Sequence, residues 1–163
     1  MVSPAERVHA LLLERDQTVA TAESLTGGQL AALLTAAPGA SDTFLGGVVS
    51  YATEVKQNVL GVSEEVVEKH GVVSAECARE MARGIRGLMG STYGVSTTGV
   101  AGPAEQEGKE PGTVYVGLSG PGGDSTVALD LSGDRTAVTA STCEEALSAL
   151  ADIIPDEEET GLG

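Results

Sequence analysis

The sequence predicts one α/β domain: a three-layer α/β/α arrangement around a mixed, mainly parallel sheet, closed by a C-terminal hairpin. Three observations lead there. Apolar runs of strand length alternate with stretches of helical period through most of the chain. Near the end, GTVYVGLSG (112–120) and DSTVALDLS (124–132) flank Gly120-Pro121-Gly122-Gly123, which reads as a hairpin turn. The 163 residues, 41% of them hydrophobic, suffice for one core, and no linker or internal repeat divides them. The domain is expected over residues 1–154, followed by an acidic, disordered tail, PDEEETGLG (155–163).

The elements follow in order. Ser3-Pro4-Ala5-Glu6 opens a helix: Ser3 caps, Pro4 suits the first helical position and Glu6 completes a capping box. Val8, Leu11 and Leu12 give it an apolar face. TVATAE (18–23) reads as a strand, and residues 26–36 as a helix stopped by Pro38-Gly39. TFLGGVVSYA (43–52) is a strand whose Gly-Gly pair suggests a bulge. A short helix is expected over 53–59. Another starts at Ser63, where Glu64 and Glu65 suit the helix dipole. Ser74 caps a longer helix reaching about Met89, with Cys77, Met81, Ile85 and Leu88 on one side. YGVSTTGVAGP (93–103) is a strand entering a Gly/Pro loop, and AEQEGKEPG (104–112) reads as polar and mobile. A final helix starts near Asp134, with Cys143, Ala146, Leu147, Leu150 and Ile154 on its inner face.

Composition narrows the function classes. The chain has nine Lys or Arg against 24 Asp or Glu, a net charge of -15. Such a surface repels nucleic acid and anionic lipid, so neither is expected as a partner. It suits a halophilic protein kept soluble in concentrated salt, where repulsion is screened within a few ångströms. An anionic ligand then needs a local cationic pocket. With no signal-peptide pattern and no long apolar run, a cytoplasmic location is expected. Cys77 and Cys143 read as small buried thiols, and no Cys/His cluster suggests a metal or other cofactor.

Four polar residues stand out. Ser24 sits where a strand meets a helix and is followed closely by Gly27 and Gly28. Tyr51 ends a strand, Lys56 lies five residues later, and Arg135 opens the last helix. None belongs to a G-x-S-x-G elbow, an S-x-x-K box or a P-loop. Taken singly, each also fits a bland role: a helix-entry serine, a strand aromatic, a solvated lysine, a surface ion pair. His9 and His70 read as structural.

Taken together, TAESLTGG, SYATEVK, HGVVS, STTGVAGP, GTVYVGL and SGDR occur in the order found in the CinA C-terminal family, the nicotinamide-nucleotide amidases (PncC-like proteins). The resemblance covers residues 3–154. Some members carry an additional N-terminal domain; this chain resembles the stand-alone amidase. The family reaction is hydrolysis of the carboxamide of nicotinamide mononucleotide to nicotinic acid mononucleotide and ammonia. The resemblance implies Ser24 as nucleophile with Lys56 and Tyr51 near it as base and relay. A lysine, with an ordinary pKa near 10.4, can act so only if burial lowers it. Amides around Thr26, Gly27 and Gly28 would face the site as donors to an oxyanion or phosphate. Arg135 would hold the phosphate of a small-molecule nucleotide, with Thr98, Gly99 and Ala101 as the remaining wall. Thr53 stands where the family commonly has Asn, and the loop before Pro111-Gly112-Thr113-Val114 is acidic and short of glycine. These departures keep a rival open, a non-catalytic nucleotide-binding module linked to competence or DNA damage. A homo-oligomer is compatible with the resemblance, although the sequence shows no seam for one.

Overall fold

The computed structural model describes residues 2–155, so residues 156–163 of the expected acidic tail lie outside the described residues. Five strands, β1 (Val19–Glu23), β2 (Phe44–Val49), β3 (Tyr93–Gly99), β4 (Thr113–Gly120) and β5 (Gly123–Asp130), form one sheet in the order β2-β1-β3-β4-β5. β1 pairs in parallel with β2 and β3, while β3–β4 and β4–β5 are antiparallel. Pairings therefore divide evenly, although four of the five strands point the same way. The hairpin turn is tighter than the four residues expected, since β4 and β5 flank only Pro121-Gly122.

Helices cover both faces. α1 (Pro4–Glu14), α2 (Gln29–Thr35) and α6 (Arg135–Ile153) bury Val8, Leu12, Leu30, Leu34, Cys143, Leu147 and Leu150 against Val19, Val95 and Val116. On the other side, α5 (Ala75–Met89) lays Cys77, Met81 and Ile85 over Ala20 and Ala22, helped by Val72 and Val73 from the turn after α4 (Glu64–His70). The remaining helix, α3 (Thr53–Asn58), leads away from β2. With one Phe, three Tyr and no Trp in the chain, close approach replaces bulk. α5 lies so near the sheet that any side chain at Gly117 would strike the Ala78 carbonyl. Cutting Met81 or Ile85 to Ala in such a core costs about 2–5 kcal/mol.

The caps expected from sequence are present. Ser3, Ser63, Ser74 and Asp134 each accept an amide of their own helix's first turn. The bulge is present too: the β1–β2 register shifts between Val19 and Ala20, whose partners are Phe44 and Gly46.

Three expectations need correcting. Leu88, placed on the buried face of α5, is 54% exposed, because the core-facing stripe ends at Ile85. The helix read over 26–36 starts only at Gln29, because Gly27 and Gly28 adopt left-handed conformations, φ 57° and 107°. The loop read as mobile, 104–112, is pinned. Gln106 and Lys109 exchange two backbone hydrogen bonds, and Glu107 and Lys109 reach across to residues 72–73.

Candidate active site

β1 is the pivot of the topology. The chain steps from β1 to β2 on one side, then crosses over to β3 on the other. In parallel sheets, a crevice opens beyond the carboxyl ends of strands at such a reversal. Ser24 follows β1, Ser50 and Tyr51 follow β2, and Val100 to Gly102 follow β3, so all three chain segments meet there. A cavity of about 460 Å³ occupies this end, lined among others by Ser24, Leu25, Tyr51, Lys56, Thr98 and Arg135.

Ser24 extends the parallel ladder by one step, its amide donating to the Thr97 carbonyl at 3.0 Å. Beneath it lies Lys56 of α3, only 1% exposed. The Lys56 Nζ is 3.0 Å from Ser24 Oγ, 2.6 Å from the Ser50 carbonyl and 3.2 Å from the Tyr51 carbonyl. Burial pulls the lysine pKa below its usual range, opposed by the charge of nearby Glu107 and, only where it is ionised, by the Cys77 thiol. The Cys77 thiol is itself pushed up to about 12, chiefly by burial, so it stays neutral.

This geometry serves both protonation states of the amine. An uncharged NH2 group has two N–H bonds and one lone pair. The carbonyls of Ser50 and Tyr51 take both hydrogens, which leaves the lone pair for the hydroxyl proton of Ser24. The same three contacts satisfy the ammonium once it forms. A serine beside a buried amine held in this way can act as a nucleophile.

At the rim, Arg135 donates from Nη1 to the Gly102 carbonyl at 2.8 Å and from Nη2 to the Tyr51 hydroxyl at 2.7 Å. Tyr51 therefore meets Arg135 through its hydroxyl and Lys56 through its carbonyl. Gly99 and Ala101 also line the cavity, as does Thr53. The Thr98 hydroxyl is engaged, donating to the Val72 carbonyl at 2.7 Å, so that residue braces the wall.

Thr26, Gly27 and Gly28 are not in the lining. The sequence reading placed amides around Thr26, Gly27 and Gly28 at the site; the amides that follow them, in the first turn of α2, are taken by a residue that reading passed over. Glu23, wholly buried, accepts from the Leu30 amide at 2.8 Å, the Ala31 amide at 3.1 Å and the Thr26 hydroxyl at 2.6 Å. The Gly27 amide is spent on the Ser24 carbonyl. Leu25 is better placed: it lines the cavity, and its amide donates to no described residue. An acidic residue seven positions before an amide it caps has no local signature, although Glu ending an apolar strand is a buried-charge warning.

Among the described residues, no cluster of three metal-ligating side chains exists, and no helix is long and apolar enough to cross a membrane. His9 meets the Thr43 hydroxyl at 2.7 Å, and His70 lies 3.7 Å from Glu76; neither lines the cavity.

The chain is similar to several known proteins. A CinA-like protein of Frankia casuarinae is 47% identical over 159 residues, covering 96% of this chain and 37% of the relative. A putative competence-damage inducible protein of Bacillus subtilis is 49% identical over 125 residues, covering 77% of this chain and 30% of the relative. The chain thus spans about a third of the length of these curated relatives. Among solved structures, a CinA superfamily protein from Klebsiella pneumoniae superposes with a TM-score of 0.90 at 36% identity, over 93% of this chain and 95% of that one. The competence/damage inducible protein CihA from Agrobacterium tumefaciens gives 0.87 at 30% identity, over 91% and 92%. The CinA C-terminal domain model matches residues 2–154, and the chain belongs to that family.

Proposed function

We propose that this chain is a serine amidohydrolase that converts nicotinamide mononucleotide into nicotinic acid mononucleotide and ammonia. The observation that carries the proposal is the buried Lys56 Nζ 3.0 Å from Ser24 Oγ, with two carbonyls holding its hydrogens.

Ser24 Oγ attacks the carboxamide carbon while its proton passes to Lys56 Nζ. The oxyanion that forms needs donors, and the Leu25 amide supplies one. The C–N bond then breaks as Lys56 returns the proton to the departing nitrogen, releasing ammonia and leaving an ester on Ser24. Water attacks the ester, Lys56 takes its proton and Ser24 recovers it, freeing the acid. Arg135 turns its guanidinium from Gly102 and Tyr51 towards the substrate phosphate, a match that favours a nucleotide over the free base. Tyr51 positions Arg135 through its hydroxyl and Lys56 through its carbonyl.

Purified protein is incubated with nicotinamide mononucleotide, nicotinamide and nicotinamide riboside, from low to molar salt, and ammonia is followed. Release from the mononucleotide well ahead of the other two is expected. No release from any of them, with the fold intact, overturns the reading. Saturable binding heat without ammonia would identify a non-catalytic nucleotide-binding module instead.

A further inference from the structure

The loop across the cavity from Ser24 carries an acidic residue in an unusual place. Gln106 and Lys109 exchange amide-to-carbonyl bonds of 3.0 and 2.9 Å, and the two residues between them are left-handed: Glu107 at φ 54° and Gly108 at φ 73°. This is a two-residue hairpin turn of the kind whose first position favours Asn, Asp or Gly. A glutamate there is strained, and such strain persists only where surrounding contacts enforce it.

Those contacts lie on the cavity wall. The Glu107 carboxylate accepts the Val72 amide at 3.0 Å and the Val73 amide at 2.9 Å. Lys109 Nζ donates to the Val73 carbonyl and lies 3.8 Å from Glu107. With Thr98 on the Val72 carbonyl, every backbone polar group of residues 72–73 is engaged from outside its own turn. The fit is close: a methyl group at Gly71 would come within 2.5 Å of Glu107 Oε1. Val72 and Val73 line the cavity on one side of this junction, and Ala104, Glu105 and Gln106 line it on the other.

The geometry points to Glu107 as a positioning residue that latches the 104–110 strap onto the Val72–Val73 peptide, closing one wall of the substrate cavity. When the latch opens, the strap and the turn part and that wall is lost, while Ser24 and Lys56 stay in place because neither bonds to the strap. The inference rests on the proposed amidase only for its kinetic readout.

The experiment separates a latch from a turn residue. Glu107→Asn suits the left-handed turn better than glutamate but is too short to span to residues 72–73. Glu107→Gln keeps the reach and one carbonyl acceptor. Amide hydrogen exchange in the ligand-free protein is expected to quicken at Val72 and Val73 by about ten-fold or more in Glu107→Asn, less in Glu107→Gln, and not at all in β1. With nicotinamide mononucleotide, at a pH above the lowered Lys56 pKa where loss of the Glu107 charge leaves the amine neutral, KM is expected to rise by about ten-fold in Glu107→Asn with kcat within a few-fold of wild type, and Glu107→Gln to recover part of the loss. Unchanged exchange at Val72 and Val73 in Glu107→Asn overturns the latch, whatever the enzyme does. Quickened exchange with unchanged KM also overturns it as a positioning residue. If the wild-type protein turns over no mononucleotide, the amidase reading fails, and the exchange result still decides whether the latch exists.

Discussion

Ser24 and Lys56, on the floor of the cavity, are 9% and 1% exposed, whereas Tyr51 on its rim is 59% exposed and Arg135 is also open to solvent. The floor is held by backbone. Ser24 is a rung of the β1–β3 ladder, and Lys56 is tied to two carbonyls at the end of β2. Glu23, Thr26 and Thr97 form a buried network under the Ser24 turn. The rim is held by one exposed side chain, Arg135, grasping the Tyr51 hydroxyl and the Gly102 carbonyl. A group that must move a proton needs fixed geometry and few waters, while a group that grips an anion must release its resting partner to do so. Under the proposed function, fixed floor and yielding rim correspond to chemistry and recognition.

The floor should break hardest. Ser24→Ala is expected to remove turnover by about ten-thousand-fold or more and Lys56→Met by about a thousand-fold, with KM little changed. Substantial turnover in either variant would erase the distinction between floor and rim. The pH dependence has a definite sign. The ammonium form of Lys56 has no lone pair, so activity should vanish as pH falls through its lowered pKa. Stability follows the same group. Between the folded pKa and the ordinary value of 10.5, the unfolded chain binds the extra proton, so stability rises with pH by up to about 1.4 kcal/mol per unit. Denaturation of Lys56→Met across that window should show this slope removed.

The rim should fail more gently and in KM. Arg135→Ala is expected to raise KM for the mononucleotide by about ten- to a hundred-fold, the worth of a charge-assisted bond, and to leave nicotinamide riboside unaffected. An equal loss for both substrates would remove Arg135 from phosphate recognition. Tyr51→Phe should be the mildest, a change of about three- to ten-fold, because the Tyr51 carbonyl still holds Lys56. A collapse of kcat in Tyr51→Phe would move that hydroxyl from rim to floor.

Local patterns were legible in the sequence because their causes are local. Ser3, Ser63, Ser74 and Asp134 cap helices within their own first turns, the Gly46-Gly47 pair marks the bulge, and β4 and β5 announce their hairpin. The family resemblance brought Ser24, Lys56, Tyr51 and Arg135 together as candidates before any coordinate did. Composition, spacing and periodicity left each of them with a bland explanation. The 104–112 loop was misread because partners distant in the chain decide it. A loop written AEQEGKEPG looks solvated until Glu107 is seen to meet amides 34 and 35 positions away.

The chain by itself determined an α/β domain with an alternating first half and a closing hairpin, since hydrophobic period and turn chemistry act over a few residues. Only the folded molecule decided that Lys56 is buried beneath Ser24 and that Glu23, not a ligand, caps α2. It also decided that an acidic loop lines the cavity. In each case contacts from several segments hold an ionisable side chain, for Lys56 and Glu23 offsetting the cost of desolvation, and no single stretch of sequence contains them all.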